Sequence, residues 1–343
     1  MKFKPLNISG LIADVPIIQG GMGVGISLSG LAGAVAAEGG IGVIAAAQIG
    51  FNAPDFFNNP FRANLEALAF HIKKAKEKGG IIGVNIMCAV THYADYVKCC
   101  IENKADIIIS GAGLPLNLPE LVKGSEIKIA PIVSSVKAAS VLLKMWDKKH
   151  GTTADMIVVE GPKAGGHLGF SLEELEKPFA AELVLREVSI YEKKYNKKIP
   201  TVFAGGIFDK SDIEHYLNLG FAGVQMGTRF VTTEECDAHE NFKLAYVNAG
   251  KDDAIIVKSP IGLPGRALNN EFIRRISGSY PIEKCHGCIS NCNPKNIPYC
   301  ITDALINSAK GKIDYGLVFC GSEVHKISEI TTVKKLMREL CCG

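Results

Sequence analysis

The chain has 343 residues, 47% of them hydrophobic, and a formal net charge of +3. That length suits one large domain plus an appendage, and so small a charge, with its lysines dispersed, argues against a nucleic-acid surface. Eleven cysteines and no secretory pattern at Met1-Lys-Phe-Lys-Pro5 predict free thiols in a reducing cytoplasm, while the apolar residues 25–50 carry Glu38 and too many glycines for a membrane span.

Short β-rich runs recur, each ending in a small or polar cluster. Residues 16–18 run into Gln19-Gly-Gly-Met22, 41–44 into Ala45-Ala-Ala47, and 81–84 into Asn85-Ile-Met87. Residues 107–109 run into Ser110-Gly-Ala-Gly113, and 127–133 into Ser134-Ser135. Residues 156–159 run into Glu160-Gly-Pro-Lys-Ala-Gly-Gly-His-Leu-Gly-Phe170. Residues 201–203 run into Ala204-Gly-Gly206, and 223–226 into Gly227-Thr228. Helical segments lie between them. Residues 62–78 place Leu65, Leu68, Ala69, Ile72 and Ala75 at helical spacing and stop at Gly79-Gly80. Ser211-Asp-Ile-Glu214 reads as a capping box before the eighth strand, with Gly220 closing that helix.

Eight strands that alternate with helices predict an α/β fold, a (β/α)8 TIM barrel, with an open doubly wound sheet as the competing arrangement. Every glycine or polar cluster then falls at the C-terminal strand ends, where barrels keep their chemistry. The barrel is expected over residues 1–230, with a C-terminal lid extension of helices and loops over 231–343. Two long connections, 48–61 and 168–198, are expected to wall the pocket, the second opening on another capping box, Ser171-Leu-Glu-Glu174.

Ala204-Gly-Gly206 and Gly227-Thr228 end strands seven and eight, where backbone N–H groups commonly bind phosphate. Gln19-Gly-Gly-Met-Gly23 ends strand one, and Asn85 and Met87 share a side of strand three. Glycine lets a flat ring approach the backbone, and an asparagine amide pairs with an imide edge. The pattern suits a flavin over the barrel mouth. His167, in a loop with four glycines, is the side chain best suited to move protons near neutral pH.

Pro16-Ile-Ile-Gln-Gly-Gly-Met22, Gly83-Val-Asn-Ile-Met87, Ala164-Gly-Gly-His-Leu-Gly169, Ala204-Gly-Gly206 and Val224-Gln-Met-Gly-Thr-Arg-Phe230 resemble the nitronate monooxygenase (2-nitropropane dioxygenase) family. They also resemble its relative, the FMN-dependent enoyl-ACP reductase II. The resemblance covers about residues 5–275 and implies FMN on a TIM barrel. It places FMN contacts on Gly21, Met22, Gly23, Asn85, Met87, Gly165, Ala204, Gly205, Gly206, Gly227 and Thr228, and the active-site histidine on His167. Ile132 stands where some members carry a lysine, with Lys137 a helical turn beyond. The Glu160-Gly spelling leans toward the reductase branch, and Ser259-Pro-Ile-Gly-Leu-Pro-Gly-Arg-Ala267 toward the monooxygenase branch.

The resemblance implies oxidation of nitronates or nitroalkanes to carbonyl compound and nitrite, with His167 abstracting an α-proton from neutral nitroalkanes at a pKa near the working pH. The alternative is an enoyl-ACP reductase or quinone reductase with NAD(P)H as co-substrate, in which His167 orients substrate or protonates the enolate. A barrel that keeps the phosphate site without redox chemistry is a third reading. The expected partner is a small molecule, with no nucleic acid and no membrane; a homodimer is a permitted assembly.

Of the other histidines, His71 and His215 are expected on helices and His92 at the pocket edge. In the tail, Cys285-His-Gly-Cys288-Ile-Ser-Asn-Cys292 and Cys300 have the spacing C-x2-C-x3-C-x7-C, with His286 adjacent. Four thiolates can hold zinc or an iron–sulfur cluster; the other reading is a set of reduced structural cysteines.

Overall fold

The computed structural model describes residues 3–276, 282, 285–290 and 292–342. Met1 and Lys2 of the N-terminal reading, Asn291 of the cysteine motif and the final Gly343 lie outside them. Eight parallel strands close into a barrel: Ile17–Gln19, Ile41–Ala45, Ile81–Met87, Ile107–Gly111, Lys128–Val133, Ile157–Glu160, Thr201–Ala204 and Gly223–Met226. The eighth returns to the first through the register Val224 to Ile17. Almost every strand residue is buried, because one face fills the barrel and the other meets the helices. This is why these segments read as continuous apolar runs rather than alternating ones.

Helices ring the barrel, and their starts are chemically marked. Asn59 accepts from the Arg62 N–H to cap the helix Pro60–Lys76. Ser135 caps Val136–His150, and Ser171 and Glu174 form the expected box before Leu172–Leu175. Before strand eight the box lies two residues earlier than expected: Asp209 and Asp212 cap each other's backbone, and the helix is Lys210–Asn218. Ser211 instead donates its hydroxyl to Asp209 Oδ1 at 2.6 Å.

The N-terminal end of the barrel is plugged. Strands Leu6–Ile8 and Leu11–Ala13 form a hairpin, turned by Ser9 and Gly10, both at positive φ. Leu6, Ile8 and Ala13 join the barrel's interior cluster with Ile18, Ile41, Ile81 and Ile107. Each buried Leu or Ile contributes about 1.5–3 kcal/mol. The opposite end stays open.

After strand eight the chain covers that open end and then comes back. The strands Ala254–Lys258 and Pro264–Leu268 form a hairpin that pairs with the two residues Gly166–His167 of the histidine loop. Ile301 and Ala304 of the helix Ile301–Ala309 share a buried cluster with Ala267 of that hairpin, and the helix Glu240–Val247 precedes it in the chain. The last helix, Val333–Cys342, buries Val333, Leu336, Met337 and Leu340 against the helices Ser29–Ala37 and Lys210–Asn218. It thus takes the place of an eighth ring helix, tied by Arg229 to both carboxylate oxygens of Glu339 at 2.9 Å. No helix among the described residues is long and apolar enough to cross a membrane.

Candidate active site

A cavity of about 460 Å³ opens at the C-terminal strand ends, within the size range of cofactor sites. It brings together His167 and all eleven residues assigned to cofactor contact: Gly21, Met22, Gly23, Asn85, Met87, Gly165, Ala204, Gly205, Gly206, Gly227 and Thr228. Asn85 and Met87 face it from one side of strand three, as their spacing predicts, and Asn85 donates to Ile109 O at 3.2 Å. His92 is not among its lining residues; it stacks on Phe61 with ring centroids 4.1 Å apart. His71 and His215 lie on helices, His71 bonded to Ser29 Oγ at 2.9 Å.

The ends of strands seven and eight have their own logic. Gly205 and Gly206 both hold positive φ, +106° and +78°, so the chain after strand seven turns as only glycine does readily. Lys163 packs over Gly206 and is the one Lys or Arg among the described lining residues. Its ammonium sits 3.5 Å from Glu323. The sequence reading did not assign Lys163; its place inside the histidine loop, opposite Gly-Gly, was the available signal. Ile132 lines the cavity, while Lys137 is exposed on its helix and supplies no charge there.

His167 is positioned by the tail. Gly166 and His167 pair with Arg266 and Gly265, and Arg266 donates its guanidinium N–H to Ala164 O. The imidazole Nε2 lies 2.8 Å from Ser259 Oγ, and the ring sets its edge on Phe319, centroids 4.8 Å apart. Phe319 is anchored in turn by the Tyr246 hydroxyl, which donates to its carbonyl. Gly165 meets the same segment: a Cβ there would lie 2.5 Å from the Cys320 carbonyl carbon. Desolvation lowers the His167 pKa to about 4. The expectation of a histidine titrating near the working pH is therefore corrected: the ring is neutral at pH 7 and a weak base.

The group that titrates near neutrality is Glu160, at the end of strand six in the same cavity. Burial pushes its carboxyl up to about 7, against the Gly169 N–H, 3.1 Å from Oε2, and the positive charge of Arg266. One further buried polar atom, Gln225 Oε1, lines this cavity without a protein partner among the described residues. An orphaned acceptor in a cavity wall is expected where a ligand supplies the donor.

A closed α/β barrel whose cavity joins glycine-rich strand ends to a buried histidine suits a flavin-dependent oxidoreductase. Comparison with known proteins agrees. The nitronate monooxygenase family model matches residues 6–343. A Mycobacterium tuberculosis protein, (3aS,4S,5R,7aS)-5-hydroxy-7a-methyl-1-oxo-octahydro-1H-indene-4-carboxyl-CoA dehydrogenase, is 29% identical over 266 residues, 77% of this chain and 66% of the relative. A probable nitronate monooxygenase of Staphylococcus aureus is 30% identical over 198 residues, 55% of this chain and 52% of the relative. The match thus spans half to two thirds of these relatives' length. The structure of FabK from Thermotoga maritima superposes with a TM-score of 0.74 at 28% identity, covering 95% of this chain and 91% of that one. The chain belongs to the nitronate monooxygenase family of flavin-dependent oxidoreductases.

Proposed function

We propose that this protein is an FMN-dependent nitronate monooxygenase that converts nitronates to carbonyl compound and nitrite. The observation that supports this is the convergence of His167, the ring-facing residues of strands one and three, and the glycines of strands seven and eight on one cavity. Gly205, Gly206, Gly227 and Thr228 would hold the phosphate, with Lys163 offsetting its charge. Gly21, Met22, Gly23, Asn85 and Met87 would meet the ring. When bound, FMN supplies the electron-accepting chemistry and the route to dioxygen.

The histidine's surroundings favour the nitronate over the neutral nitroalkane as substrate. A neutral imidazole with a pKa of about 4 is poorly matched to abstracting a carbon-bound proton. It is well matched to orienting an anion already formed. Ser259 Oγ accepts from the Ile261 N–H at 3.4 Å and keeps a proton and a second lone pair for His167 Nε2, 2.8 Å away. In the tautomer to which that hydroxyl donates, the ring proton is on Nδ1, as a donor for a nitronate oxygen.

A second reading, reduction of an activated double bond with NAD(P)H, is favoured by the FabK likeness over 95% of the chain and by a relative named for a CoA thioester. There Glu160, not His167, would carry the proton. Anaerobic stopped-flow of the flavin-loaded protein separates the two. Bleaching of the flavin by nitronate alone at the turnover rate supports the first; bleaching only by NADH or NADPH replaces it with the second.

A further inference from the structure

We propose that Cys285, Cys288, Cys292 and Cys300 bind an iron–sulfur cluster at the rim of the cofactor cavity. All four are free thiols. The segment that holds Cys285 and Cys288 meets the start of the helix that Cys300 precedes: Thr302 Oγ1 lies 3.1 Å from Cys288 Sγ, and His286 and Cys300 bring their ligand atoms to within 4.8 Å. That segment is fixed to the loop after strand three. Thr91 N–H donates to Cys288 O at 3.2 Å, Ser290 N–H to Ala89 O at 3.0 Å, and Thr91 Oγ1 to Gly287 O at 2.6 Å, while Val90 bridges Ile289. Cys288 and Thr302 line the cavity itself.

The sulfurs already have donors. Thr302 Oγ1 lies 3.1 Å from Cys288 Sγ, and the Gly287 N–H is 3.4 Å from Cys285 Sγ. Cys300 immediately precedes the helix Ile301–Ala309. Such donors stabilise thiolates and tune clusters. An independent sign is His286. It is 7% exposed, its Nε2 meets Asp303 Oδ1 at 2.7 Å, and its Nδ1 has no partner among the described residues. Its ring converges with Cys300 and Asp303 to within 4.8 Å.

The spacing selects the metal. One zinc ion, with Zn–S near 2.3 Å, draws its four thiolates to within about 4 Å of one another. Among the described residues the four sulfurs are not all within 4.8 Å of one another, a closeness that one zinc requires and a multi-iron cluster does not. The binding stands on these residues alone; a role in exchanging single electrons with the neighbouring ring rests on the flavin reading above.

The test is anaerobic purification of the full chain, with iron, zinc, acid-labile sulfide and flavin each quantified. Equal molar iron and sulfide are expected, with visible absorbance beyond the flavin bands that dithionite bleaches and a low-temperature EPR signal on reduction. Cys285→Ser and Cys292→Ser are expected to lose that signal and keep their flavin. One zinc per chain without sulfide overturns the proposal. So does wild-type protein that takes up neither iron nor sulfide on anaerobic reconstitution. Cluster-loaded protein that cannot bind flavin supports the proposal and refutes the flavin reading instead.

Discussion

Two regions build the cavity, and they reach it by different routes. The strand-end loops carry their residues within a few positions of a barrel strand: Met22 after strand one, Asn85 and Met87 in strand three, Gly205 and Gly206 after strand seven. The tail brings Tyr246, Ser259, Phe319 and Cys320 from scattered positions, each carried in by a fold that closes over the mouth. The first region supplies the ligand-facing walls. The second sets the state of the histidine, because Ser259 and Phe319 bond it and crowd it. Where a catalytic group sits is local information, but its protonation is not.

His167→Ala tests the barrel side most severely: loss of a hydrogen bond to an anionic substrate, worth about 1.5–3 kcal/mol, is expected to lower turnover about 10- to 150-fold with flavin content unchanged. Steady-state kinetics beside a flavin spectrum measures both, and full activity would remove the histidine from the chemistry. Next is the seam between the regions. Gly165→Ala drives a methyl into the Cys320 backbone, which cannot rotate away. A loss of about 1–3 kcal/mol in urea unfolding is expected, with weaker flavin retention. An unchanged midpoint would mean that loop and tail are not pressed together.

Ser259→Ala isolates the tail's bond to the ring. One hydrogen bond is worth about 0.5–1.5 kcal/mol, so turnover is expected to fall roughly 2- to 13-fold. A wild-type rate would show that the tail covers the histidine without orienting it.

The smallest net effect is in the pH dependence of stability, where two groups oppose each other. His167 is lowered from 6.5 to about 4, so between those values the unfolded chain binds more protons and stability rises with pH. Glu160 is raised from 4.5 to about 7, so the folded chain binds more protons there and stability falls with rising pH. The slopes largely cancel between pH 4.5 and 6.5. Glu160→Gln is expected to reveal the rise and His167→Ala the fall, in unfolding midpoints across that range. Parallel curves for the two variants would contradict both shifts.

The barrel was legible because strands buried on both faces must be apolar throughout, and each of the eight runs is followed by a small or polar cluster. The box before strand eight was misplaced because two overlapping patterns compete. Ser211 to Glu214 and Asp209 to Asp212 both have capping spacing, and only the backbone decides which residue is still extended. The low pKa of His167 could not be read because Ser259 and Phe319, which touch the ring, lie more than ninety positions away. Glu160 and Lys163 were in view in the histidine loop. Their importance comes from burial in one case and from packing over Gly206 in the other, and neither leaves a local pattern.

Leu6 and Ile8 stopper the barrel from its N-terminal end, so its interior is packed side chains and not a pore. On the flavin reading proposed above, reductant and oxidant would share the mouth at the C-terminal strand ends, and steady-state kinetics would then show a ping-pong pattern.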